Sequence, residues 1–88
     1  MRDSEAILTA GRAVMAEARL QALEARSERD GKAILCLDSR WFHDRAEVCS
    51  VRVDHYHGTY SYGEEEWDGG YVSISRDDAF KLVLEVTR

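Results

Sequence analysis

The hydrophobic pattern of this chain changes its period at Gly31, and this change sets the class of fold. Before Gly31, apolar or small residues recur in steps of three and four over residues 4–28, which predicts one long helix. After it, short apolar runs alternate with polar residues, as they do in strands. The 88 residues contain no proline and suffice for one hydrophobic core. We therefore expect a single α+β domain over residues 1–88.

The predicted helix carries a stripe of small and apolar residues at nearly heptad spacing. The stripe consists of Leu8, Gly11, Met15, Ala18, Ala22 and Ala25, widened by Ile7, Val14 and Leu23. Asp3 or Ser4 suits the N-cap, and Gly31 suits the end of the helix. Two interpretations of the stripe stay open: it packs across the chain's own sheet, or helix 4–28 packs on a second chain and forms a homodimer.

Four later segments have the composition of strands. They cover residues 32–37, 46–56, 59–62 and 71–75. In the second segment Cys49, Val51 and Val53 alternate with polar residues, so one face should be buried. The segments predict an antiparallel meander sheet of three or four strands.

Residues 76–86 fit both a helix and a strand. Ser75 and Asp78 resemble a capping box, and Asp77 adds a second acid to the first turn. Four apolar residues also alternate as in a strand: Phe80, Leu82, Leu84 and Val86. We predict a short C-terminal helix, with a strand as the alternative.

The negative charge is confined to the last part of the chain. Residues 1–53 hold nine basic and nine acidic residues, whereas residues 54–88 hold three basic and eight acidic residues, giving the net charge of -5. Binding to nucleic acid needs a basic surface that neutralises phosphates, so we expect no direct nucleic-acid partner. A larger basic protein is the complementary partner.

The sequence contains no signal for a membrane or for secretion. No apolar run reaches the roughly 18 residues that span a bilayer, and the N-terminus lacks a signal-peptide pattern. We expect a cytoplasmic protein without membrane contact.

Cys36 and Cys49 lie in apolar segments, so we expect buried free thiols rather than a disulfide.

No motif indicates an enzyme or a resident cofactor. Catalytic sets can be assembled on paper from Ser50, His55 and Asp54, or from Cys49 and His57, but no nucleophile elbow, phosphate loop or zinc motif accompanies them. We therefore predict a non-enzymatic protein without a cofactor.

His55 and His57 provide a metal-binding alternative. If they continue the second strand, both point to the same side and can share one ion. Further ligands would have to come from His43, Asp44, Cys49 or Asp54. The structural alternative is that both histidines cover the edge of the core.

Two segments combine aromatic and charged residues as interaction surfaces do. Residues 40–45 are predicted to form a loop in which Arg40 and Trp41 act as anchors, since Arg and Trp dominate interface hot spots. Alternatively, Trp41 and Phe42 cover the core. The second segment joins Tyr60 and Tyr62 to an acidic run that surrounds a tryptophan, consisting of Glu64, Glu65, Glu66, Trp67 and Asp68. It is suited to docking on a basic protein, or it is a solvated loop whose charges prevent aggregation.

In size, acidity and lack of catalytic motifs, the chain resembles in general character the small acidic proteins that phages encode to block host machinery, including anti-CRISPR proteins. The resemblance implies an inhibitor or adaptor that binds a larger basic or nucleic-acid-handling protein. The alternatives are a small metal- or ligand-binding protein that uses His55 and His57, and a homodimeric structural subunit.

Overall fold

The computed structural model describes the backbone of residues 2–42, 45–64 and 70–87, and their side chains except at 2–9, 38–48 and 64. The elements are α1 (Arg2–Asp30), β1 (Lys32–Phe42), β2 (Arg45–Asp54), β3 (Thr59–Glu64), β4 (Val72–Ile74) and α2 (Arg76–Val86). The strands form one antiparallel sheet in the order β1-β2-β3-β4. The predicted α+β class, the meander and the C-terminal helix are confirmed.

The core lies between one face of the sheet and the two helices. Its buried members come from both layers: Leu20, Leu23, Ala33, Val51, Val53 and Ala79. The predicted alternation in β2 is confirmed, because Val51 and Val53 are buried on the face that meets the helices. We call this the inner face and the opposite face of the sheet the outer face.

Of the described residues of the predicted stripe, only Leu23 belongs to the face of α1 that packs on this core. Ala16, Leu20, Leu23 and Ser27 are buried. The described members of the small-residue stripe are exposed: Gly11, Met15, Ala18, Ala22 and Ala25. Both sets have steps of three and four, and burial favours the leucines because they remove more apolar area from water. The interpretation that the stripe crosses the sheet is wrong, and packing on a second chain stays a prediction.

The ends of α1 also differ in part from expectation. The helix includes Asp3 and Ser4, which therefore are not N-caps. Gly31 ends it as predicted, with φ at 88° and its N–H 2.6 Å from the carbonyl oxygen of Ser27. L-residues avoid this φ, so the position favours glycine. A Cβ there would also lie 2.6 Å from the Tyr56 ring, which would have to move.

The prediction of a loop over residues 40–45 is wrong. Arg40 and Trp41 lie in β1, which continues through a register shift between Cys36 and Asp38 as far as Phe42. Phe42 pairs with Arg45, so the strands are joined by two residues, His43 and Asp44, which are outside the described ranges. A two-residue connection lets a hairpin stay paired to its tip, and the polar residues after Leu37 did not end the strand.

The thiols are free, but the prediction that both are buried is wrong. Cys36 is exposed and Cys49 is half-buried. Cys36 pairs with Ser50, whose side chain points to the outer face, and it lies in the edge strand β1. Its position on the edge strand explains its exposure.

Candidate interaction surface

The β1–β2 hairpin extends beyond the rest of the sheet. β3 pairs with β2 only from Cys49 to Asp54, whereas β1 pairs with β2 as far as Phe42 and Arg45. Residues 39–42 and 45–48 therefore form a two-stranded arm and pair only with each other in the described sheet. Arg40 is opposite Glu47, and Trp41 is opposite Ala46. The hairpin thus places Arg40 and Trp41 beyond the end of β3.

The acidic segment begins at the base of this arm. Glu64, the last residue of β3, pairs with Cys49, and Cys49 pairs with Asp38 at the base of the arm. Glu65, Glu66, Trp67 and Asp68 lie outside the described residues. The chain is described again from Gly70, which returns to the same place. Both sequence-predicted segments therefore start at one end of the sheet, which we call the arm end.

Gly63 and Tyr71 hold together the residues on either side of the acidic segment, which we call its stems. A Cβ at Gly63 would lie 2.4 Å from the carbonyl oxygen of Gly70, so only glycine permits this approach. The Tyr71 hydroxyl lies 2.6 Å from Ser50 Oγ, and its ring lies 4.2 Å from the guanidinium carbon of Arg52. These contacts fix the returning stem on the outer face of β2, and they bury Ser50 on a face that sequence alternation had assigned to solvent.

Tyr60 and Tyr62 lie on the inner face instead. Tyr60 is opposite Val53 and Tyr62 is opposite Val51, and both are half-buried against the core. The structure thus places the arm and Glu64 together at one end of the sheet and the two tyrosines under the helices. Their role as partner anchors remains a prediction.

The Tyr60 hydroxyl contributes to a charged cluster that joins three elements. It donates to Glu24 of α1, and Arg76 at the start of α2 lies between Glu24 and Glu17. Hydrogen bonds from Arg76 lower the pKa of both glutamates, and these bonds raise the pKa of Arg76. Burial and the bond to Glu24 raise the pKa of Tyr60. The ionised cluster fastens α2 and β3 to α1.

The other end of α2 is held by arginines of α1. Arg12 Nε donates to the carbonyl oxygen of Thr87 at 3.0 Å and Arg12 Nη2 to that of Leu84 at 3.1 Å. Arg19 Nη1 donates to Thr87 Oγ1 at 3.0 Å. The two Arg12 bonds place a cation at the carbonyl end of α2, where a helix favours positive charge.

The two histidines lie at the end of the sheet away from the arm. β2 ends at Asp54, and residues 55–58 form an exposed turn with Gly58 at φ 63°. The expectation that His55 and His57 continue the strand is therefore wrong. His57 Nδ1 lies 2.9 Å from Asp54 Oδ2, and this bond lowers the pKa of Asp54. The part of the chain with described side chains holds no cluster of three or more His, Cys, Asp or Glu residues that fits a metal ion.

Sequence reasoning missed the contacts of α1 with α2 and β1, although the spacing contains a signal. Arg12, Arg19 and Arg26 recur every seven residues, and so do Glu17 and Glu24. Seven residues make almost two helical turns, so each set lies along one side of α1. In the structure the two glutamates contact Arg76 of α2. Arg12 and Arg19 contact the other end of α2, and Arg26 contacts β1.

Comparison with known proteins adds no relative from which a function can be transferred. No protein-family model, no curated protein and no solved structure matches this chain. Neither of the two described helices combines the length and the apolar composition that crossing a membrane requires.

Proposed function

We propose that this protein is a non-enzymatic interaction module that binds a larger basic protein through its arm end. The observation that carries the proposal is the backbone pairing of Glu64 with Cys49 beside Asp38, since it joins the acidic segment to the base of the arm. Tryptophan and arginine in the arm supply the residue types that anchor interfaces, and the acidic segment supplies the charge.

The charge distribution supports a basic partner. The excess of acidic residues falls in residues 54–88, and four of the eight acids there lie in the segment from Glu64 to Asp68. A local concentration of one charge accelerates association with a surface of the opposite charge and makes the rate depend on salt.

The most specific form of the proposal is a phage-type inhibitor, such as an anti-CRISPR protein, of a nucleic-acid-handling protein. Carboxylates of the acidic segment would then occupy the groove in which the partner binds phosphates. In this form the protein competes with nucleic acid for its partner, whereas an adaptor binds without competition.

The test starts with capture of the tagged protein from host lysate at low and high salt, followed by binding kinetics with the purified partner. The central variant replaces Glu65, Glu66 and Asp68 with Lys. The matched control replaces Glu28, Asp30 and Glu85 with Lys; these residues are exposed and lie outside the arm and the acidic segment. Both variants change the net charge equally, so they separate a local effect from an overall one.

We expect the central variant to slow association by about tenfold or more and to lose most of its salt dependence, with little change in the control. Trp41→Ala should accelerate dissociation, whereas Tyr56→Ala, at an exposed aromatic residue of the distant turn, should not. Equal loss of binding in both charge variants, or unchanged binding in the central one, would contradict the proposal.

A further inference from the structure

β1 is an edge strand with an open hydrogen-bonding side. It ends the strand order, so only β2 is its partner in the described sheet. The His55 N–H donates to the carbonyl oxygen of Gly31 at 2.9 Å, which shows that odd-numbered positions at the start of β1 bond towards β2. Because the two backbone groups of a residue in an antiparallel strand point to the same side, Ile34 directs its N–H and its carbonyl group to the open edge.

A side chain of α1 contacts the open edge. Arg26 Nη2 donates to the carbonyl oxygen of Ile34 at 2.9 Å, and Arg26 is exposed. An open edge normally attracts another strand. A guanidinium on the carbonyl oxygen satisfies that acceptor but leaves the neighbouring N–H of Ile34 for an incoming strand.

A cleft lies beside this edge, between α1 and β1. Its volume is about 170 Å³, and its lining consists of Arg19, Ala22, Leu23, Arg26 and Leu35. Three of the five lining residues are apolar, and the other two are arginines. Among the residues with described side chains, neither arginine forms a salt bridge with a carboxylate: Arg19 bonds to the hydroxyl of Thr87, and Arg26 bonds to the Ile34 carbonyl.

From these observations we infer that the β1 edge binds an extended acidic peptide segment of another protein, which adds to the sheet as a fifth strand. The segment places an apolar side chain in the cleft and its Asp or Glu side chains beside Arg19 and Arg26. This mode of recognition takes affinity from backbone hydrogen bonds and specificity from the cleft. The inference does not depend on the function proposed above, because it concerns another surface and a partner of opposite charge.

Binding at the edge requires an exchange of partners at Arg26. A backbone N–H of the incoming segment takes over the Ile34 carbonyl oxygen, and the released guanidinium turns to a carboxylate of the segment. The Ile34 carbonyl oxygen and Arg26 each keep a partner, and Arg26 exchanges a neutral acceptor for a carboxylate. An acidic segment is therefore favoured over a neutral one, and a basic segment is disfavoured by Arg19 and Arg26.

The experiment uses the full chain and three blocked, fluorescein-labelled peptides. The probe is Thr-Glu-Thr-Val-Thr-Glu-Thr, in which Val and both Glu residues lie on one face of the extended strand. Its two matched controls carry Gln or Lys in place of both Glu residues. Fluorescence anisotropy measures affinity at low and at physiological salt, and backbone amide shifts locate the site by NMR. We expect the Glu peptide to bind about tenfold tighter than the Lys peptide, with the largest shifts at Ile34 and Cys36.

Two pairs of variants test the two parts of the inference. Arg26→Gln should weaken binding of the Glu peptide about fivefold without weakening that of the Gln peptide, whereas Arg29→Gln, outside the cleft, should change neither. Ile34→Pro removes the N–H at the open edge without removing a ladder bond, so it should abolish binding of every peptide. Ile34→Val keeps the N–H and should bind normally.

Circular dichroism tests whether each variant is folded. If Ile34→Pro is unfolded, the inference is decided by the Arg26→Gln and Arg29→Gln variants and by the NMR shifts. Equal affinity for the Glu and Lys peptides, no effect of Arg26→Gln, or shifts centred away from β1 would each overturn the inference. It is also overturned if sedimentation shows dimers that Ile34→Pro dissolves, because a second copy of the chain would then occupy the edge.

Discussion

Arg76 holds Glu24 in a two-pronged ion pair, in which Nε donates to Oε2 at 3.0 Å and Nη2 donates to Oε1 at 2.9 Å. The two residues are 52 positions apart, and they join the start of α2 to the second half of α1. The guanidinium also reaches Glu17, so a single side chain of α2 contacts two sites on the long helix.

Replacement of Arg76 should destabilise the fold moderately. We expect Arg76→Met to lower the free energy of unfolding by about 1 kcal/mol, because the side chain is partly exposed and water screens its charge. Urea unfolding followed by circular dichroism measures the change. Lys81→Met, at an exposed position of the same helix, is the control and should alter stability by less than about 0.5 kcal/mol. Equal effects of the two variants would show that the cluster contributes nothing specific.

The same cluster predicts the direction of the pH dependence. A carboxyl group whose pKa is lower in the folded chain stabilises the fold above its unfolded pKa, and this contribution is lost as the pH falls through the folded pKa. For Glu17 and Glu24, the loss begins below about pH 4.5, the ordinary pKa of glutamate.

We therefore expect the wild-type chain to lose more stability on acidification than the variant that carries both Glu17→Gln and Glu24→Gln. Urea unfolding at neutral pH and below about pH 4 compares the two. Some acid sensitivity should remain in the variant, since the bond from His57 lowers the pKa of Asp54 and gives the same sign. Parallel curves for the two proteins would contradict the pKa shifts.

A methyl group at Gly63 should separate the stems of the acidic segment. Its Cβ would lie 2.4 Å from the carbonyl oxygen of Gly70 and 2.7 Å from Tyr71 Cα, both of them backbone atoms that cannot rotate away. We expect Gly63→Ala to cost about 1–3 kcal/mol, as overpacked substitutions do. Gly11→Ala has no neighbour within 4 Å and should instead stabilise α1 by about 0.5–1 kcal/mol. Thermal unfolding of both variants tests the contrast, which an increase in stability at Gly63 would refute.

The N-cap of α2 offers a local test of the capping box. Ser75 Oγ accepts a hydrogen bond from the Asp78 N–H at 3.1 Å. Ser75→Ala should cost about 1 kcal/mol, because one N–H of the first turn loses its acceptor. Ser73→Ala, at an exposed position of the neighbouring strand, should have little effect. If both alanine variants have the same urea midpoint, the hydroxyl does not cap the helix.

The sequence was sufficient for the elements with strong local signals. Ser75 and Asp78 marked the start of α2, and Gly31 marked the end of α1, because each of these residues makes its contact within a few positions. The alternation of Val51 with Val53 identified the buried face of β2 for the same reason. Local chemistry decides these features, so one sequence reveals them.

Features that depend on distant residues were predicted poorly. The steps of three and four in α1 fit both Leu20 with Leu23 and the stripe through Ala18 and Ala22, and only the position of the sheet selects the leucines. The alternation of Val53 with His55 predicted a longer strand, but the chain turns after Asp54 and exposes the histidine.

Both charged segments at the arm end could be identified in the sequence, but the strand register that brings them together could not. Pairing of Glu64 with Cys49, and of Cys49 with Asp38, was needed to show that the two segments meet. Cross-strand register depends on residues far apart in the chain, which is why spacing within a segment did not reveal it.

Side chains of α1 bind both ends of α2, and this limits how the two helices can separate. Arg12 reaches Thr87 across 75 positions, so α2 cannot detach without breaking bonds to α1 at each of its ends. The two helices should therefore behave as one cooperative unit in which amide protons exchange with solvent at similar free energies. The strands of the arm pair only with each other beyond Cys49, so we expect the arm to exchange its amide protons independently of the two helices.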